Sequence, residues 1–191
     1  MNRILFYDTE TSGMPLFDQP SSDPRQPHLM QLAAALTDAD TRRDLAAVNL
    51  TIRVEDWAVD AESAAVHGLT IDHCNACGVS ERHAVLTLLD LWRCADLRVG
   101  HVESFDARII RIALKRYLSD TEADTWKAGA AECTKRIART KVPALARKGS
   151  GDLQSAHRHY LGTGFDDAHT AEADMRAAQR VYFAMKDRGH V

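Results

Sequence analysis

The stretch Ile4-Leu5-Phe6-Tyr7-Asp8-Thr9-Glu10-Thr11-Ser12-Gly13 constrains this chain more than any other. It starts as a buried strand and ends in two carboxylates. Side chains on a strand alternate faces, so Ile4, Phe6, Asp8 and Glu10 point the same way. Carboxylates crowded at the end of an apolar strand repel one another and lose hydration. A bound divalent cation relieves both costs. A strand that ends in a polar turn, with both acids solvated, accounts for the same letters. Asp-x-Glu is a short motif, so on this stretch alone the two accounts stand level.

The remaining carboxylates shift that balance. An amphipathic helix is expected from Glu103 to Leu118, with Val102, Ile109, Ile110, Ala113 and Tyr117 as its apolar stripe; Asp106 falls on that stripe. A last helix is expected from Thr170 to Lys186, with Ala171, Ala178, Val181, Tyr182 and Met185 as its stripe, and Asp174 falls on it. Burying an unpaired carboxylate costs several kcal/mol, so such a group needs a cation, a metal or a proton. For either residue alone, a buried Asp paired with an Arg or capping a helix is the plainer account. Two of them, with a strand that ends in two more, favour a shared site. Hard oxygen donors suit Mg²⁺ or Mn²⁺ rather than zinc. Four carboxylates can hold two such ions, and two ions about 4 Å apart are the usual arrangement for in-line attack on a phosphodiester. His169, five residues before Asp174, is the candidate general base. Taken alone, a histidine at a helix start is more often structural.

The rest of the chain supplies the frame. Ser12 to Pro27 holds four of the five prolines and reads as a long irregular loop, functional or mobile. Leu29 to Thr37 reads as a buried strand, and Leu45 to Val54 as a strand paired with it in a hairpin. Ala58 to Ser80 reads as turns and short helical pieces. Ser80 caps a helix with Val85, Leu88, Leu89, Trp92 and Ala95 on one side. Leu97 to His101 and Ala130 to Thr134 read as short strands, with a basic helix around Lys135 to Lys141. Asp152 caps a helix that runs to Leu161 and ends at Gly162. Early antiparallel strands followed by alternating strand and helix give an α/β class with a mixed central sheet flanked by helices.

The totals exclude several classes. At 191 residues the chain has the length of one domain with its own core, so 1–191 is taken as a single domain. The net charge of −3 gives no global basic field, so a nucleic-acid partner has to be met by a local patch or by bound cations. No apolar run approaches the roughly 18 residues of a membrane span. Asp8 and Glu10 interrupt the first apolar segment too early for a signal peptide. Cys74, Cys77, Cys94 and Cys133 have no disulfide-framework spacing, which makes a reducing cytoplasm the expected location. Cys74-x-x-Cys77 lacks the second closely spaced pair of a structural zinc site. Lys135, Arg136, Arg139, Lys141, Arg147 and Lys148 form either a solvated helix face or a phosphate-tracking patch.

With these residues in place, the sequence resembles the DEDDh 3'→5' exonucleases of the DnaQ-like, ribonuclease H-like superfamily. Five segments carry the resemblance in order: Phe6 to Gly13, Val66 to Thr70, Gly100 to Asp106, Cys133 to Arg139, and His169 to Asp174. It also resembles small stand-alone exonucleases, including phage-encoded ones, and the epsilon proofreading subunit. The resemblance implies a ribonuclease H-like fold and a two-metal enzyme that releases nucleoside monophosphates from a 3' end. It implies that Asp8, Glu10, Asp106 and Asp174 hold two Mg²⁺ or Mn²⁺ ions, with Asp8 bridging them, and that His169 takes the proton from the attacking water. It implies that Thr11 and its neighbours Gly13 and Met14 receive the terminal nucleotide, with His67 and Phe105 at its sugar or base. For Phe105, core packing is an equal alternative to stacking on a base. Single-stranded DNA is the expected substrate and a polymerase or repair protein a candidate partner. An exoribonuclease, a binding module of the same fold with little catalysis, and a two-metal phosphatase for small molecules are the alternatives. One departure stands out: Val102 occupies a position where the family usually has Asn. No metal ligand is lost by it.

Overall fold

The computed structural model of the chain describes residues 2–191. Its centre is a five-stranded mixed sheet built on the opening stretch, β1 (Arg3–Thr11). β2 (Leu29–Asp38) pairs antiparallel with β1, and β3 (Asp44–Thr51) pairs antiparallel with β2. On the other side, β4 (Leu97–Gly100) and β5 (Ala131–Cys133) run parallel to β1, giving the order β3-β2-β1-β4-β5. The expected antiparallel start and mixed sheet are both present. β1 is central, with neighbours on both edges, and that explains its unbroken apolar run.

Eight α-helices and one 3-10 turn (Pro143–Leu145) complete the described residues, the α-helices being α1 (Ala61–His67), α2 (Ile71–Cys77), α3 (Glu81–Arg93), α4 (Glu103–Tyr117), α5 (Asp120–Ala128), α6 (Thr134–Lys141), α7 (Leu153–Leu161) and α8 (Ala171–Asp187). The alternation along β1 divides them between two layers. Leu5 and Tyr7 pack with Leu88 and Leu89 of α3, Ile109, Ile110 and Ala113 of α4, and Trp126 of α5. Ile4 and Phe6 pack on the opposite face with Ala171, Met175, Tyr182 and Phe183 of α8; the Phe6 ring lies 5.6 Å from that of Tyr182 and 5.5 Å from that of Phe183.

Ser80 and Asp152 cap their helices by side-chain acceptance, as the sequence indicates, and Thr170, expected as the first residue of the last helix, is instead its cap. α5 is an element the sequence reading lacks. Its signal is present in hindsight: Ser119 accepts from the Glu122 N–H, and Ala123 and Trp126, three residues apart, are both buried. Val102 is a correction of another kind. It belongs to no apolar stripe, being 37% exposed and sitting just before the helix. The Pro-rich loop, for which mobility was one expectation, is tied to α4. Arg108 donates to the Leu16 and Gln19 carbonyls at 2.8 and 2.9 Å, and Arg116 donates to the Gln26 carbonyl at 2.8 Å. No helix among the described residues is long and apolar enough to cross a membrane.

Candidate metal and nucleotide site

At the C-terminal end of β1, the face that carries Ile4 and Phe6 continues into Asp8 and Glu10. α8 packs on that face, so Asp174 in its first turn is delivered to both acids. The turn is anchored from the sheet. Gln31, the β2 residue opposite Glu10, accepts the Ala171 N–H at 3.0 Å and donates to Asn49 of β3. Asn49 in turn donates to Glu172 at 2.8 Å. One carboxylate oxygen from each of Asp8, Glu10 and Asp174 lies within 4.8 Å of the others. The β1/β2 register shifts between Glu10 and Thr11, so the strand is re-aimed just past the acids, as irregularities beside functional sites tend to do.

Three carboxylates at this spacing cannot all ionise without a counter-charge. Burial pushes the Asp8 carboxyl well up, and Asp106, Asp174 and Glu10 push it further. Burial, then Asp174 and Asp106, raise Glu10 from 4.5 to about 8. Burial also raises Asp174, against the pull of the His169 backbone N–H and ring. The Asp174 Oδ1 is buried with no hydrogen-bond partner. An all-oxygen donor set with an orphaned carboxylate oxygen is what a hard divalent cation fits.

Asp106 approaches differently. It comes from α4, on the other face of the sheet, and its Oδ1 accepts both the Thr9 N–H at 3.1 Å and the Thr9 hydroxyl at 2.7 Å. It therefore stands outside the Asp8–Glu10–Asp174 trio, while its charge still reaches Asp8. Burial raises it from 3.8 to about 7, with the Thr9 bonds pulling the other way. Thr9 is a residue that the sequence reading missed. It points to the opposite face from its two acidic neighbours and orients the carboxylate that arrives there.

Next to the acids lies a pocket of about 270 Å³ that gathers Thr11, Met14, His67 and Phe105, together with Thr9, Glu10, Asp60 and Val66. Four of the five expected nucleotide residues thus share one cavity. Gly13, the fifth, does not line it. The Thr11 hydroxyl donates to its carbonyl at 2.9 Å, and a Cβ on it would fall 2.4 Å from Asp60 Oδ2. Met14, at 63% exposed, and Val66 form an apolar lip. Phe105 packs on the core, one of the two roles expected for it, and also lines the pocket. His67 is buried; its Nδ1 accepts the Leu69 N–H at 3.0 Å, and its Nε2 has no partner.

His169 is exposed and immediately precedes Thr170, the residue that caps α8. Its φ of 70° and the 55° of Asp167 make a left-handed turn that brings it to Asp174. Val102 has a φ of 65°, a conformation that Asn adopts readily and that a β-branched side chain resists. The departure at this position is therefore one of backbone strain. A further network escaped the sequence reading. Glu103 accepts from Tyr7 at 2.9 Å and from Arg98 at 2.7 Å, both buried, and the Arg98 guanidinium lies 4.5 Å from the Trp126 ring centre. It ties the start of α4 to the strand residue preceding Asp8. Cys74 is buried and Cys77 exposed, and neither joins a metal-ligand group among the described residues.

No curated protein matches the chain in sequence. The exonuclease family typified by RNase T matches residues 5–182. Among solved structures, Escherichia coli exonuclease I in complex with a dT13 oligonucleotide is similar with a TM-score of 0.79 at 20% identity, over 98% of this chain and 42% of that one. The zinc-bound E. coli exonuclease I–single-stranded DNA complex gives 0.77 at 20%, over 98% and 41%. A moderately thermophilic exonuclease I from Methylocaldum szegediense gives 0.76 at 22%, over 98% and 41%. The chain spans about two fifths of the length of these proteins. At such identities the likeness is one of fold, and it bears out the ribonuclease H-like architecture.

Proposed function

Because the chain belongs to the RNase T exonuclease family, we propose that it removes nucleoside monophosphates stepwise from the 3' end of single-stranded DNA. The observation that carries this is the position of Glu10. It is at once a member of the carboxylate trio and a wall of the pocket that holds Thr11, Met14, His67 and Phe105. A terminal nucleotide seated in that pocket has its phosphodiester beside the acids. The oligonucleotide in the E. coli exonuclease I complex, dT13, supports DNA as the substrate class.

Each residue then has a task. Phe105 offers a ring face for the terminal base, with Met14 and Val66 covering its edge. His67, a pocket-lining residue whose Nε2 has no hydrogen-bond partner, would meet the sugar hydroxyls. Thr11 supplies backbone groups at the floor. Asp8, Glu10 and Asp174 would hold a divalent cation, with Asp106 as a candidate ligand of a second; Mg²⁺ or Mn²⁺ bound there would supply an activated water and charge neutralisation at the phosphate. His169, exposed beside Asp174, takes the proton of the attacking water at a ring nitrogen. Thr9 keeps the Asp106 carboxylate aimed.

The test is a labelled oligonucleotide with Mg²⁺ or Mn²⁺, as single strand, duplex and RNA. Stepwise shortening from the 3' end, fastest on single-stranded DNA and absent in Asp8→Ala, is expected. Activity that persists in Asp8→Ala overturns the metal assignment, and cuts at internal positions overturn the exonuclease assignment.

A further inference from the structure

The first turn of α4 stands between two grooves outside the nucleotide pocket. One, of about 420 Å³, is lined by Val102, Ser104, Cys133, Lys135, Arg136 and Arg139, among others. The other, of about 470 Å³, is lined by Phe17, Ser104, Arg98, Arg108, Arg111 and Lys127, among others. Both look cationic from their residue names. Their charges are in different states.

In the second groove three of the four cations are already engaged. Arg98 is paired with Glu103 at 2.7 Å, Arg111 with Asp124 at 2.8 Å, and Arg108 donates to the Leu16 and Gln19 carbonyls. Lys127 alone is without such a partner among the described residues. In the first groove, none of Lys135, Arg136 and Arg139 lies within ion-pair distance of a carboxylate among the described residues. The one side-chain hydrogen bond of that trio, among the described residues, is Arg139 to the Ala146 carbonyl at 3.3 Å. Arg136 and Arg139 are exposed, so their charge is available to a ligand. The groove also borders the same turn of α4 as the nucleotide pocket. Ser104 lines it, and the next residue, Phe105, lines the nucleotide pocket.

We propose that the Lys135–Arg136–Arg139 groove binds the backbone phosphates of the single strand next to the terminal nucleotide, so that the strand leaves the pocket across the first turn of α4 toward α6. The inference rests on the exonuclease reading and adds to it a route and a charge contact for the strand. Unpaired cations in a groove track a backbone irrespective of sequence, and each phosphate neutralised releases counterions. The groove offers no aromatic platform, so its contribution is electrostatic and falls with salt.

The experiment uses the full chain and three variants: Lys135→Ala/Arg136→Ala/Arg139→Ala, the single Arg136→Ala, and Lys127→Ala from the other groove. Binding of a fluorescent 12-mer DNA single strand is followed by anisotropy in EDTA from 50 to 300 mM salt. Hydrolysis of the 12-mer and of thymidine 5'-monophosphate p-nitrophenyl ester, which has no neighbouring phosphate, is followed with Mg²⁺. Loss of three phosphate contacts flattens the slope of log K against log salt by about 2 and weakens binding on the order of 50-fold at 0.15 M. Hydrolysis of the ester is expected to stay unchanged in the triple variant, and Lys127→Ala is expected to bind the 12-mer as the parent does. Arg136→Ala is expected to give about a third of the slope change, which guards against a folding defect in the triple variant. Equal binding and equal salt slopes in parent and triple variant overturn the proposal, as does a loss confined to Lys127→Ala. If the parent hydrolyses neither substrate while the groove variants still lose binding, the exonuclease reading fails and the groove stands.

Discussion

Replacing Glu10 with Gln in the metal-free protein is expected to stabilise it at alkaline pH, although it removes a proposed ligand. The reason lies in the sign of the carboxyl's displacement. Glu10 is raised from 4.5 to about 8 by burial and by the Asp174 and Asp106 charges. A group whose folded pKa is raised adds its full share of stability below its unfolded value and loses it as pH rises through the folded value. The window is therefore pH 4.5 to about 8. A carboxyl moved that far carries about 5 kcal/mol of penalty when ionised. Allowing for relaxation and for the sharing of protons among neighbouring acids, about 2 kcal/mol should be recoverable, or roughly 4–8 °C in Tm for a chain of this size. Thermal melts in EDTA at pH 5 and pH 8.5 measure it. The parent should lose stability between the two pH values, and Glu10→Gln should lose much less. Mg²⁺ or Mn²⁺ should restore the parent at pH 8.5, since saturation at 100-fold over Kd contributes about 2.7 kcal/mol, and should restore the variant less. A variant no more stable than the parent at pH 8.5 in EDTA would show that Glu10 does not feel its burial and the charges of Asp174 and Asp106.

Other substitutions report on separate parts of the structure. His169→Ala should lower kcat by about 10²- to 10⁴-fold and leave KM nearly unchanged, measured on the end-labelled strand, because the ring is assigned to a proton and not to the nucleotide. Val102→Gly and Val102→Asn should each raise stability by about 1 kcal/mol in urea titration, since both relieve a β-branched residue held at a φ of 65°. Glu81→Ala should cost about 3–5 kcal/mol in the same titration. That carboxylate is 2% exposed and accepts from the Leu29 N–H and the Tyr117 hydroxyl, each at 2.8 Å, with Arg116 at 3.2 Å. Burial by itself would push Glu81 up, but its bond to His28 and the Arg116 charge outweigh it and hold it below 4.5. Its contribution is therefore present above pH 4.5 and is lost as pH falls, so the parent should show an acid transition that Glu81→Ala lacks.

The site divides into what local periodicity reveals and what only the fold can supply. Asp8 and Glu10 were legible because a strand alternates every two residues, and Asp174 because it interrupts a helical stripe that is otherwise apolar. Asp106 was legible as a buried acid by the same rule, and α4 does bury it. The rule does not say from which side of the sheet it arrives. That depends on α4 and α8 covering opposite faces, a consequence of chain connectivity. Its partner Thr9 was invisible for the same reason, since a threonine between two acids has no pattern of its own. The Gln31–Asn49–Glu172 chain and the Glu103–Arg98–Tyr7 network join residues up to 123 positions apart, and no window of sequence contains either.

Val102 carries the argument furthest. By sequence it falls on an apolar stripe and, separately, stands where the resembled family usually has Asn. The structure gives it another meaning, because the residue before α4 turns left-handed in the same turn in which Glu103 meets Tyr7 and Arg98 and Asp106 meets Thr9. An Asn there would make that turn at little cost. With Val the turn is held against the residue's own preference, at a cost of roughly 1–2 kcal/mol. The Glu103 ion pair and the Thr9–Asp106 bonds are the interactions on hand to oppose it. Loosening either should let the first turn of α4 relax, so Glu103→Gln should disturb the Asp106 position more with Val102 present than with Gly in its place. A double-mutant cycle on hydrolysis with a coupling energy of zero would break that link between backbone strain and the placement of Asp106.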